Sequence, residues 1–145
     1  MTTFTSVDAA RAFALGGNAR LTLSSLRTGA RYTYRVAATR DAPGQKSGFF
    51  VSLLTGADNE ADYTYIGMLR GGKFVMTQAS KLPHASAPVQ AFSYFWKHVG
   101  LGDAIPPQLE VRHEGRCGRC ARVLTVPESI DSGFGPECRG RLACS

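Results

Sequence analysis

The sequence predicts an α+β fold: an antiparallel sheet of about five strands with a helix packed on it, followed by a small cysteine-bearing module. Three observations predict it. Segments that alternate apolar and polar residues recur between residues 19 and 77, the period of half-buried strands. From Ser86 the apolar period lengthens to that of a helix. All four cysteines, Cys117, Cys120, Cys138 and Cys144, fall in the last 29 of 145 residues.

Taken in order, residues 6–15, SVDAARAFAL, read as a short helix. Ser6 is its N-cap, Asp8 sits in the first turn near the positive helix end, and Gly16-Gly17 stops it. In ARLTLSSL, Leu21 and Leu23 alternate with Thr22 and Ser24, and Thr28-Gly29 turns the chain. RYTYRVAA then puts Tyr32, Tyr34 and Val36 on one face and Arg31, Thr33 and Arg35 on the other. Proline and glycine make DAPGQKSG a loop. GFFVSLL, residues 48–54, is apolar on both faces and suits a central strand. After the loop TGADNEAD, YTYIGML and FVMT pair as a hairpin through Arg70-Gly71-Gly72-Lys73.

In SAPVQAFSYFWKHVG, Val89, Phe92, Trp96 and Val99 lie at helical spacing, and Phe95 widens the stripe. Pro88 is tolerated in the first turn, and Gly100 can end the helix. A helix with three large aromatic side chains needs a surface to cover, and the sheet supplies it. The segment LGDAIPPQ, with Pro106-Pro107, is a stiff connector. The expected division is therefore 1–102 for the sheet domain and 108–145 for the metal-binding module.

Charge and composition narrow the partners. The net charge is +6. Residues 1–100 carry 11 Lys/Arg against 5 Asp/Glu, whereas residues 101–145 carry 6 of each, so the basic excess belongs to the sheet domain. Such an excess attracts polyanions. No apolar run approaches the roughly 18 residues of a membrane span. MTTFTSVDAARAF has no basic region leading into an apolar one, so a cytoplasmic protein is expected. Thiols stay reduced there, and four clustered cysteines point to a metal before a disulfide.

The spacing supports that chemistry. Cys117-Gly-Arg-Cys120 is a C-x2-C unit whose glycine lets both sulfurs face one point. Gly133-Phe-Gly135-Pro136-Glu-Cys138 has the form of a tight turn opening a helix, where the positive end of the dipole favours a thiolate. Thiolates from a knuckle and from a helix start make a zinc-knuckle or treble-clef-like site, and Zn²⁺ is the metal such sites usually hold. A closed structural shell needs a fourth ligand. Two residues can supply it. His113, four residues before Cys117, can approach from the preceding strand. Cys144 lies six residues beyond Cys138, roughly 600° further on a continuous helix, and reaches the site only if the helix breaks at Gly140. His113 is the expected ligand and Cys144 the alternative.

The run C-G-R-C-A-R-V-L-T-V-P-E-S-I-D-S-G-F-G-P-E-C resembles an uncharacterised zinc-knuckle family of bacterial and bacteriophage proteins. Its signature is C-x-x-C, L-T-x-P-E-S and G-x-G-P-x-C. The resemblance covers Cys117 to about Leu142 and implies metal binding by Cys117, Cys120 and Cys138, with no activity attached. Relatives that lack a final cysteine favour His113.

Catalysis is not expected. The deaminase pattern H-x-E with P-C-x-x-C is absent, because this chain has H-E and P-E-C-x5-C. H-E-x-x-H, G-x-S-x-G and G-x-x-x-x-G-K are also absent. Arg20, Arg27, Arg31, Arg35 and Arg40 instead supply cations around the first strands. Alternation buries the tyrosines and leaves the arginines as a phosphate-facing surface. The expected protein is a small zinc-binding, nucleic-acid-associated module of phage or mobile-element type. The alternative is a protein-binding inhibitor or adaptor of a host nucleoprotein complex.

Overall fold

The structure, a computed structural model, describes residues 2–39, 48–58, 61–113, 115–118, 124 and 133. Its elements are β1 (Thr2–Thr3), α1 (Val7–Ala14), β2 (Asn18–Ser25), β3 (Arg31–Ala38), β4 (Phe49–Leu54), β5 (Tyr63–Arg70), β6 (Lys73–Val75), α2 (Ala87–Val99) and β7 (Leu109–His113). The strands form one antiparallel sheet in the order β1-β7-β2-β3-β4-β5-β6. Strands β2 to β6 are the five read from the alternating segments. β1 and β7 extend the sheet past β2.

Local chemistry explains each boundary. Ser6 caps α1, its Oγ accepting the Ala9 N–H at 3.3 Å, and Asp8 lies in the first turn. Gly71 and Gly72 have φ of +59° and +78°, the left-handed pair that a two-residue hairpin between β5 and β6 requires. Ser86 stands at the N-cap of α2 with Pro88 in its first turn, and Gly100 ends it.

One face of the sheet is apolar and carries the helices. Ala19, Leu21 and Leu23 of β2, Tyr34 and Val36 of β3, Val51 of β4, Ile66 of β5 and Val111 of β7 are all buried there. α2 buries Val89, Phe92, Phe95, Trp96 and Val99 against them. α1 adds Ala10, Phe13 and Ala14. Burying each large apolar side chain contributes roughly 1.5–3 kcal/mol, which makes the helix stripe the main adhesive of this layer.

Directional bonds set the helices on that surface. The Trp96 indole N–H donates to the Gly72 carbonyl at 3.0 Å, tying α2 to the β5–β6 turn. Arg11 donates from Nε to the Gly100 carbonyl at 3.0 Å, joining α1 to the end of α2. The Tyr34 hydroxyl donates to the Pro88 carbonyl at 2.6 Å.

β7 lies inside the sheet, between β1 and β2. Leu109 to His113 pair with β2 from Ser25 back to Leu21, while Thr2 and Thr3 flank the other side. The sheet therefore continues through residue 113, past the boundary placed at 108. The segment that leads into the cysteines is a strand of the main sheet. No helix among the described residues is long and apolar enough to cross a membrane.

Burial pushes the Tyr34 phenol well above the usual tyrosine range, with neighbouring Tyr32 adding to the effect, so it remains a protonated donor. The unfolded chain ionises near the ordinary value of about 10. This contribution is therefore full below about pH 10 and is lost as pH rises above it. Tyr34→Phe is expected to lower stability by about 1 kcal/mol in urea unfolding at neutral pH and to flatten the alkaline loss, with far-UV circular dichroism unchanged.

Candidate metal corner and nucleic-acid interface

At the β7 end of the sheet three rings meet. The Phe4 and Phe13 centroids are 5.2 Å apart, and the His113 ring lies 5.2 Å from Phe4 and 5.4 Å from Phe13. His113 is fully buried, on the helix-bearing face opposite Leu21. Its Nδ1 accepts the Gly115 N–H at 3.0 Å. A neutral ring accepting at Nδ1 carries its proton on Nε2, the nitrogen that a metal would have to take. Metal-bound histidines show the reverse, donating from the nitrogen that faces the protein. The Gly115 N–H thus occupies one ring nitrogen of His113.

Cys117 follows and is 1% exposed. The chain then presses on α1: a Cβ at Gly118 would lie 2.7 Å from Phe13 Cδ2, and one at Gly133 would collide with the same atom. Only hydrogen at these positions lets the backbone approach the ring. The Asn18 N–H donates to the Gly118 carbonyl at 2.8 Å, the Gly118 N–H to the Gly133 carbonyl at 2.8 Å, and the Leu124 N–H to the Gly115 carbonyl at 2.7 Å. Leu124 is buried in the same core as Cys117.

These contacts bear on the zinc expectation. The Gly118–Gly133 bond sets the start of the C-x2-C unit beside the start of GFGPEC, the approach that ligands from both units need in order to share one ion. Cys117 is a thiol removed from water, and as a thiolate it needs a cation. Cys120, Cys138 and Cys144 lie outside the described residues, and among the described residues no three His, Cys, Asp or Glu side chains form a metal-holding group.

The other face of the sheet is polar. Arg20 of β2 stands directly opposite Arg35 of β3, Thr22 opposite Thr33 and Ser24 opposite Arg31. On β7, Arg112 faces Thr22 and Glu110 faces Ser24. Ser52 of β4 faces Arg35 and Tyr65 of β5. Phe50 pairs with Met68, two residues before Arg70, which pairs with Lys73. Alternation carries every charged residue of the described strands to this face: the cations Arg20, Arg31, Arg35, Arg70, Lys73 and Arg112, and the single acid Glu110. Arg31, Arg70 and Lys73 are exposed, Arg35 and Arg112 half-buried, and Arg20 buried. Glu110 forms an ion pair with Arg112.

The predicted arginines do not all share this face. Arg20, Arg31 and Arg35 do. Arg27 lies in the exposed β2–β3 turn, and Arg40 lies outside the described residues. Tyr34 is core and Tyr32 half-buried against it, as the alternation requires. GFFVSLL is not buried on both sides: Phe50 is 44% exposed on the polar face. Its ring meets Tyr65 edge to face at 5.9 Å. Arg112, Arg70, Lys73, Phe50 and Tyr65 are the additions that strand register makes.

Residues 107–143 match a family of unknown function, DUF6011. The match begins two residues before β7, takes in that strand and the cysteine segment, and ends one residue short of Cys144. No curated protein and no solved structure matches the chain.

The close approach at Phe13 generates a packing prediction. Gly118→Ala is expected to cost about 1–3 kcal/mol by overpacking the corner, measured by thermal unfolding. Combined with Phe13→Leu, the loss is expected to be smaller than the sum of the single losses, because both changes act on one contact.

Proposed function

We propose that the chain is a small nucleic-acid-associated protein whose cysteine segment is held to the sheet by a structural Zn²⁺. The observation that carries the nucleic-acid part is the one-sided charge: six cations and one paired acid on a single sheet face. Cationic side chains set along a strand surface neutralise phosphates and release their counterions. The exposed Phe50 ring on the same face, with half-buried Tyr65 beside it, supplies a second kind of contact with bases.

For the metal, the reading takes Cys117, Cys120 and Cys138 with Cys144 as the fourth ligand. The proton-accepting Nδ1 of His113 supports this choice over the histidine. A bound zinc ion would act as a tetrahedral cross-link for a segment too short to keep its own core. No catalytic step is assigned. A phage or mobile-element setting follows from the sequence resemblance alone.

Native mass spectrometry is expected to find one zinc per chain. His113→Ala should keep that stoichiometry, whereas Cys144→Ser and Cys117→Ser should lower it; retention in Cys144→Ser with loss in His113→Ala would reverse the ligand choice. Titration with single- and double-stranded oligonucleotides is expected to give micromolar or tighter binding at about 50 mM salt, falling steeply as salt rises. The absence of any binding under those conditions would favour an acidic protein surface as the partner.

A further inference from the structure

We infer that the polar face holds a stacking site for one base of a single-stranded polynucleotide, formed by Phe50 and Tyr65 beside Arg35. The inference rests on the nucleic-acid reading and narrows it to single strands. A hollow of about 320 Å³ lies here, lined by Arg35, Ala37, Phe50, Ser52 and Tyr65. Its floor is made of small side chains: Ala37 stands opposite Phe50, and Ser52 stands between Arg35 and Tyr65 in the register. The volume is at the lower end of the range for ligand sites.

Three features give the hollow its chemistry. Phe50 is 44% exposed, although the other face of its strand buries Val51 completely. On this polar, basic face its ring partner among the described residues is Tyr65. Their edge-to-face packing, with the Tyr65 hydroxyl hydrogen-bonded to Thr77 Oγ1 at 3.0 Å, fixes both rings before a ligand arrives. Fixed rings lose little entropy when a base stacks on them. Finally, the buried Arg35 Nε has no hydrogen-bond partner among the described residues. Arg35 also faces Arg20 across the strands, so the hollow borders two cationic positions. Arg35 is only half-buried, so the outer part of its guanidinium can meet a phosphate at the rim of the hollow.

A duplex cannot use this site, because its base faces are already stacked. An unpaired base can present a face to the rings while its phosphate meets Arg35.

The test uses the full chain, purified with zinc, and four fluorescent probes: a thymidine 12-mer, a uridine 12-mer, a duplex of the same length, and a 12-mer of abasic sugar-phosphate. Wild type is expected to bind the thymidine or uridine strand at least roughly tenfold more tightly than the abasic chain and the duplex, and the first two probes separate DNA from RNA. Phe50→Ala is expected to weaken single-strand binding about tenfold with the salt slope unchanged, and to leave abasic binding unaltered. Phe50→Leu, which keeps an apolar side chain, should behave as Phe50→Ala does. Arg35→Gln should lower the single-strand salt slope by about 0.7. Equal binding of all four probes, or wild-type affinity in both Phe50 variants, would remove the stacking site and leave the electrostatic reading standing. Failure of wild type to bind any probe would remove both.

Discussion

The pairing of β7 with β2 is the constraint on which the rest depends. It joins residues that are more than 80 positions apart in the chain, Leu21 with His113 and Ser25 with Leu109. Through it the sheet gains an outer pair of strands, and the cysteine segment starts from a fixed point. The rings of Phe4, Phe13 and His113 close over this junction, and Gly118 and Gly133 rest on Phe13 because neither has a Cβ. Loop closure across such a distance is unfavourable until the contacts it permits are made. Here those contacts are a strand ladder on one side and an aromatic cluster on the other.

The same sheet separates two kinds of chemistry. Its inner face is closed by α1 and α2, with Tyr34 and Trp96 supplying directed bonds within an otherwise apolar layer. Its outer face collects the strand charges. Arg20, Arg31, Arg35, Arg70 and Lys73 all lie in described strands, whereas the described acids before residue 100, Asp8, Asp58 and Asp62, lie outside them. The sheet is thus a scaffold that turns a modest basic excess into a directional field.

Much of the fold is legible in the sequence because its signals are local. Ser6 and Asp8 mark the start of α1, the Gly71-Gly72 pair marks the tightest hairpin, and the spacing of Val89, Phe92, Trp96 and Val99 marks the buried stripe of α2. Period 2 assigns Tyr34 to the core and Arg35 to the opposite side. The membership of β7 in the sheet is not legible, because LEVRH follows two prolines and its partner is remote in sequence. The exposure of Phe50 is hidden for a related reason. A run such as GFFVSLL looks buried on both faces, and only the pairing of Phe50 with Met68 and of Ser52 with Tyr65 shows which side faces outward. For the metal corner, spacing identifies the candidate cysteines, but the burial of His113 between two phenylalanines and its bond to Gly115 arise from tertiary contacts.

The central claim is that a metal clamps the cysteine segment onto a sheet that is stable without it. Amide hydrogen exchange, with zinc bound and after chelation, tests this most directly. The account predicts that the Gly118 and Leu124 amides lose protection on chelation while those of Leu23 and Tyr34 keep theirs. Unchanged protection at Gly118 and Leu124, or equal loss throughout the sheet, would contradict it.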